Sequence, residues 1–511
     1  LGIEDGSIED WASNIRGNFH FTGTKKDLQM LKKICFRYND FVTEIEALGH
    51  QYQIDSFILS NAVINANGQI QKPDKRGIVG EFYIPATAES NQYNSYYKAE
   101  QKLRYAELAS KQIRNFSDFL GNIIQSFNES IGMISATYLL AGLFFDLISK
   151  QSDGQFPLLN LAGQKGSGKG SLVKMLLAPF TAEAEEISLQ NATKAGFVRK
   201  FAQVANIPIW LDEFNNNVSP DIIQALKNVY DGIGRVRAYK SQDNRTYRTP
   251  ILAPCILSGQ EAPNDEALFS RCIALHLPLL IHNQEAIRTH LKRINLFQKG
   301  ISHILPQLLP YREVIEKMYT TVFYDQLEYF SEQVTQHNST ANTRLIKNYA
   351  SITAPAIIAI EHGLHYYEKA EKSLQIEHLK EVFLKNLLLQ AQEENQRDEV
   401  VQMLHVLCIA MDKKLLLADQ DYQVNQLSGE FILKSDVVAQ YNALSKKLLD
   451  TPGPNARAVE KYIKSKAYFK QYRRAYFDHL EGKKQYRCLI FHLDQLPEQI
   501  RYFLSPKKDT S

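Results

Sequence analysis

The stretch GQKGSGKGS, Gly163 to Ser171, has the residue types and the spacing to hold a phosphate. In its Gly-x4-Gly-Lys pattern the glycines let the backbone wrap an anion with N–H groups, and a helix beginning just beyond turns its positive end to the phosphate. Lys169 supplies a mobile point charge for the β- and γ-phosphates. The whole segment, Gly163, Gln164, Lys165, Gly166, Ser167, Gly168, Lys169, Gly170 and Ser171, is therefore the expected binding loop for ATP with Mg2+. Such loops usually place a Ser or Thr hydroxyl on the metal after the lysine, and here that residue is Gly170. Ser171, one step on, either takes its place on the metal or touches phosphate while the metal uses water in its inner shell.

Two further stretches carry compatible chemistry. PIWLDEF ends an apolar run with Asp212, suited to the metal shell, and Glu213, suited to polarising water. APCILSGQ ends another with Ser258 and Gln260, either of which can sense the γ-phosphate; Ser258 is the favoured one. The GKGS spelling resembles the loop of adenylate kinases and related nucleotide kinases, so phosphate transfer to a small acceptor stands as an alternative. Paired acids on a buried strand weigh against it, because a kinase must keep water from the γ-phosphate.

The elements that must position these residues read as follows. FPLLNLAG is a strand entering the loop, and SLVKMLLAPF a helix that stops at Pro179. EEISL, NIPIWLDEF, APCILSGQ and RCIALHLPLL are further strands, alternating with helices near ATKAGFVRKFAQV and SPDIIQALKNV, the second with Ser219 as N-cap and Pro220 at its first position. That alternation argues for a mostly parallel sheet covered on both faces. Upstream, FSDFLGNIIQSF and MISATYLLAGLFFDLIS read as two helices, the second buried all round. Residues 1–112 read as an α+β domain, 113–283 as the helical lead-in and core, 284–422 as a helical domain, and 423–511 as a basic helix-and-hairpin domain that fits a winged helix.

The series GQKGSGKGS, PIWLDEF, ILSGQ and ALFSRCIALHLP resembles the ATPase core of superfamily 3 and related AAA+ helicases, particularly the helicase portion of phage, plasmid and mobile-element primase-helicases. The resemblance covers about residues 115 to 285 and implies an α/β P-loop NTPase core. It implies a homo-oligomeric, hexameric ring that hydrolyses ATP to move along single-stranded or forked DNA during replication, beside a primase or another replication protein. It also implies that Arg271 reaches the neighbouring subunit's ATP; an ion pair within the subunit is the alternative. An AAA+-like ATPase that loads or remodels a partner protein on DNA needs the same nucleotide chemistry and remains the second reading.

Nucleic-acid contacts must come from local patches, since the formal charge of the 511 residues is only +3. DGIGRVRAYKSQDNRTYRTP reads as a basic hairpin with SQDN at its tip, carrying Arg235, Arg237, Lys240, Arg245 and Arg248; helicases of this kind insert a hairpin at the same place, pointing into the ring's channel. The second patch, residues 455–487, interleaves aromatics with Arg473, Arg474, Lys483 and Lys484, and is equally readable as a solvated face. The five cysteines are scattered without zinc or disulfide spacing, and no apolar run is long enough to span a bilayer, which points to the cytoplasm and no membrane partner. The chain opens on Leu1 in an acidic stretch, as a processed chain or a piece of a longer one would.

Overall fold

The computed structural model describes residues 23–24, 26–27, 29–30, 33–34, 42–191, 193–234, 236–238, 246–279, 284–337, 339, 341–397, 399–449, 463–464, 466, 468–479 and 482–504. Five parallel strands form its centre: β1 (Leu158–Ala162), β2 (Glu186–Ser188), β3 (Ile209–Phe214), β4 (Cys255–Gly259) and β5 (Cys272–His276). Their order is β5-β1-β4-β3-β2. β1 and β4 are buried along their whole length, which is why both read as unbroken apolar runs rather than as alternating ones. The chain leaves β1 for the far edge at β2 while β4 and β5 flank β1. The carboxyl end of β1 is thus where strand order reverses, the crevice at which open α/β sheets take ligands. Helices cover the sheet, as in a P-loop NTPase-like architecture.

The helices of the fold include α1 (Lys169–Leu177), α2 (Pro220–Tyr230), α3 (Arg312–Gln336), α4 (Thr343–Glu361) and α5 (Lys372–Arg397). Ser219 caps α2 by accepting from the Ile222 N–H, with Pro220 at the first position as the sequence reads. β5 is an edge strand, and α5 closes it with a buried side-chain amide. Gln390 accepts from the Ala274 N–H at 3.0 Å and donates to the Cys272 carbonyl at 2.9 Å, imitating a neighbouring strand. The long apolar stretch before the core is not one helix. It breaks at Leu143–Phe144 into Glu129–Gly142 and Phe145–Gln151, which are bent by 82°. Among the described residues no single helix is long and apolar enough to cross a membrane.

The N-terminal β-rich region joins the core through a shared ladder. Val204–Ala205 pairs in parallel with Leu48–Gln51, and Ser56–Leu59, Ala62–Asn65 and Ile70–Gln71 follow antiparallel. Gly49 is required at that seam: its φ is +98°, and a Cβ there would meet the Ala205 carbonyl oxygen at 1.9 Å. At the other end a four-stranded antiparallel sheet orders as Tyr422–Asn425, Glu430–Lys434, Gly482–His492 and Phe469–His479. It buries its own apolar cluster together with Val400–Cys408.

A buried ionic knot locks three regions together. Asp146, on the lead-in, receives hydrogen bonds from both terminal nitrogens of Arg312 and, at 2.7 Å, from the Asn206 amide, while Arg312 Nε pairs with Asp55 at 3.3 Å. His50 Nε2 lies 3.8 Å from Asp146. Burial pushes the His50 imidazole down to about 4, Arg312 adding to this and Asp146 and Asp55 opposing it. A histidine whose folded pKa lies below its unfolded 6.5 is protonated first in the unfolded chain. Its contribution is therefore complete above pH 6.5 and drains away as the pH falls towards 4, by about 3 kcal/mol. Unfolding midpoints should fall across that interval, and a His50→Gln chain should lose distinctly less; equal losses would mean that His50 is not the titrating group.

Candidate nucleotide site

The loop between β1 and α1 hangs from both neighbouring strands. The Gly163 N–H donates to the Gly259 carbonyl at 3.2 Å, and Leu277, just past β5, donates to the Ala162 carbonyl at 2.7 Å. Gly163 has no room for a side chain: a Cβ would meet the Leu277 carbonyl oxygen at 2.6 Å and Ser167 Oγ at 2.8 Å. Gly168, at φ +83°, precedes α1 and gives no side-chain cap, so the first-turn N–H groups of α1 are left for an anion. Lys169 Nζ folds over the loop, donating to the carbonyls of Gly163 at 2.6 Å and Gln164 at 3.0 Å. Burial lowers the Lys169 ammonium, and the nearby Asp212 carboxylate opposes that shift.

β3 delivers its two acids through an irregularity. Leu211 pairs with Leu257 but Phe214 with Gly259, so β3 carries one extra residue against β4. Bulges of this kind re-aim side chains. The bulged residue Glu213 has φ +61°, left-handed backbone that costs a non-glycine residue about 1–2 kcal/mol, and its carboxylate accepts from Ser188 Oγ on β2. Asp212 is half-buried and accepts the Ser258 hydroxyl, whose oxygen in turn accepts from Trp210 Nε1 at 2.8 Å. Ser258 is fully buried on β4, so its described polar contacts are with Asp212 and Trp210; Gln260, just past the strand, is exposed.

Lys169, Asp212, Glu213 and Ser258 thus gather at the carboxyl ends of β1, β3 and β4. Arg271 does not join them. It stands before β5, with its carbonyl accepting from Leu158 N–H at the amino end of β1, roughly 16 Å down the sheet from the loop. Its guanidinium pairs with Asp231 at 3.1 Å, donates to the Ala267 carbonyl at 2.8 Å and lies over the Tyr230 ring. Arg271 cannot serve the loop of its own chain without dismantling the strand ends.

Among the described residues no three His, Cys, Asp or Glu side chains come together. Asp212 at the end of β3 and the half-buried Ser171 in α1 are a carboxylate and a hydroxyl, oxygen donors of the kind Mg2+ takes when phosphates and water complete its shell.

The basic hairpin is present: Val236–Ala238 pairs antiparallel with Thr246–Arg248 and leads directly to β4. Arg248 is exposed; Arg235, Lys240 and Arg245 lie outside the described residues, as does the Arg237 side chain. In the C-terminal hairpin, cross-strand pairing puts Arg474 opposite Arg487 and Asp478 opposite Lys483 on one face. Arg473 turns the other way and pairs with the buried Glu430 at 3.1 Å, while Lys484 lies opposite Phe477. The sequence carried no signal for the Trp210 and Ser188 contacts beyond the placement of Trp210 two residues before Asp212, on the same face of β3.

No family model matches the chain, and no curated protein matches it. Among solved structures it is similar to SCCmec type IV Cch, titled an active helicase, with a TM-score of 0.60 and 13% identity over 98% of this chain and 88% of that one. The apo A form of the NrS-1 C-terminal region aligns at a TM-score of 0.29 and 10% identity, over 92% of this chain and 90% of that one, too loosely to carry weight. At 13% identity the first likeness shows the fold.

Proposed function

We propose that the chain is an ATP-dependent helicase or single-stranded DNA translocase, assembled as a homo-oligomeric ring and serving replication of a mobile element, phage or plasmid. The observation that carries this reading is the meeting, in one crevice, of an uncapped glycine loop with Lys169, a tethered Asp212 and a strained Glu213, with the basic hairpin leading straight into the strand that tethers Asp212. The fold shared with a helicase supports it.

In this reading the loop N–H groups and Lys169 orient the triphosphate, and Ser171 with Asp212 hold Mg2+. That ion, when bound, neutralises charge on the phosphoryl oxygens. Glu213 orients the attacking water and takes its proton, Ser188 fixing where the carboxylate rests. Arg271 acts on the neighbouring subunit's nucleotide. Arg235, Arg237, Lys240, Arg245 and Arg248 grip DNA phosphates in the channel, and Arg474 and Lys483, on one face of the C-terminal hairpin, make an outer contact surface with Lys484 on the other face. Replacing Lys240 and Arg245 together by alanine should abolish the stimulation of ATP turnover by single-stranded DNA and flatten the salt dependence of binding by about 1.4 in log-log slope. Unchanged stimulation would instead favour an ATPase that remodels a protein partner.

A further inference from the structure

The indole of Trp210 has no role in the chemistry above, yet it touches both halves of the site. It is 2% exposed, stands on β3 two residues before Asp212, and reaches across to β4, where Nε1 donates to Ser258 Oγ at 2.8 Å. An indole N–H can only donate. The Ser258 oxygen is therefore the acceptor on that side, and its single proton is committed to its other contact, Asp212 Oδ1. A hydroxyl that is free to rotate has three staggered positions; this one is held in one. The far edge of the same ring, Cη2 and Cζ2, lies 3.5 and 3.6 Å from where a Cβ on Gly170 would stand. A methyl group would fit there in ordinary contact, with little space beyond it on the indole side.

We infer that Trp210 is a positioning residue of the phosphate site. Its N–H orients the Ser258 hydroxyl, and through it the Asp212 carboxylate, towards the divalent cation that accompanies the triphosphate, while its ring occupies the flank of Gly170. This inference rests on the proposed ATPase reading and explains how a loop without the usual hydroxyl keeps its metal-side geometry. The loop carries no hydroxyl at position 170; the rigidity comes from three side chains on two adjacent strands. Contacts that orient a metal's carboxylate ligand are worth about 10–100-fold in metal affinity or activity.

Calorimetric titration of the full chain with ATP, once in Mg2+ and once in EDTA, tests this. Trp210→Phe and Ser258→Ala should each shrink the Mg2+-dependent gain in ATP affinity by about tenfold, and Trp210→Phe, which removes no group that reaches the phosphates, should leave the affinity in EDTA unchanged. The double variant should be no worse than either single one, because the two side chains act through one chain of contacts. Ser258→Thr keeps the hydroxyl and should retain the gain. Should Trp210→Phe fail to fold, the Ser258→Ala and Ser258→Thr pair carries the test alone, since the alanine loses a single oxygen. An undiminished gain in the single variants, or losses that multiply in the double one, would reduce Trp210 to core packing. Native protein that binds no ATP in either condition would overturn the ATPase reading itself, and this inference with it.

Discussion

Arg271→Ala is expected to lower ATP turnover by about a thousandfold while each subunit binds ATP as tightly as before. The expectation comes from where the residue stands. Its strand end is opposite the glycine loop, so it contributes nothing to binding in its own chain. In the isolated chain the guanidinium rests on Asp231 and the Ala267 carbonyl, with its Nε buried and, among the described residues, without a hydrogen-bond partner. A neighbour's phosphoryl group would offer such a guanidinium a stronger acceptor than the helix carbonyl. The signature is complementation. Lys169→Ala leaves a subunit with a working arginine and a dead loop, and Arg271→Ala leaves the reverse. Mixing the two inactive proteins should restore phosphate release. Native turnover in Arg271→Ala alone would instead make its ion pair with Asp231 purely structural.

The second large effect belongs to Glu213. Glu213→Gln should lower turnover by about 10²–10⁴-fold, with ATP binding and thermal stability held. Glutamine removes the proton acceptor but keeps an oxygen for the Ser188 hydroxyl and keeps the left-handed backbone, so the bulge survives. Protein that traps ATP without hydrolysing it is the expected product, and single-turnover assays will show it. A variant with native turnover would mean that the strained backbone at Glu213 is a property of the β3 bulge alone.

What could be read from the sequence was local. Period and punctuation located the β1-loop-α1 unit, the cap at Ser219, the basic hairpin and the C-terminal hairpin, because each is set by residues a few positions apart. The break at Leu143–Phe144 escaped because an element apolar on every side has no stripe whose phase could shift. The Glu213 bulge escaped because it is a mismatch of register between two strands and has no mark on either one. Ser258 was legible as a polar residue at a strand end, but its contact with Asp212 and Trp210 depends on β3 lying beside β4. The knot of His50, Asp146, Asn206 and Arg312 draws on residues from four separate stretches of chain, none of them unusual alone.

In the proposed function the Lys169 loop holds a triphosphate whose hydrolysis is coupled to DNA. Phosphate release from Mg-ATP, with and without single-stranded DNA, by the native chain and by Lys169→Ala, tests it most directly. Release should rise with DNA in the native protein and vanish in the variant under both conditions. Equal release by the two proteins, or none by the native chain in either condition, would contradict it.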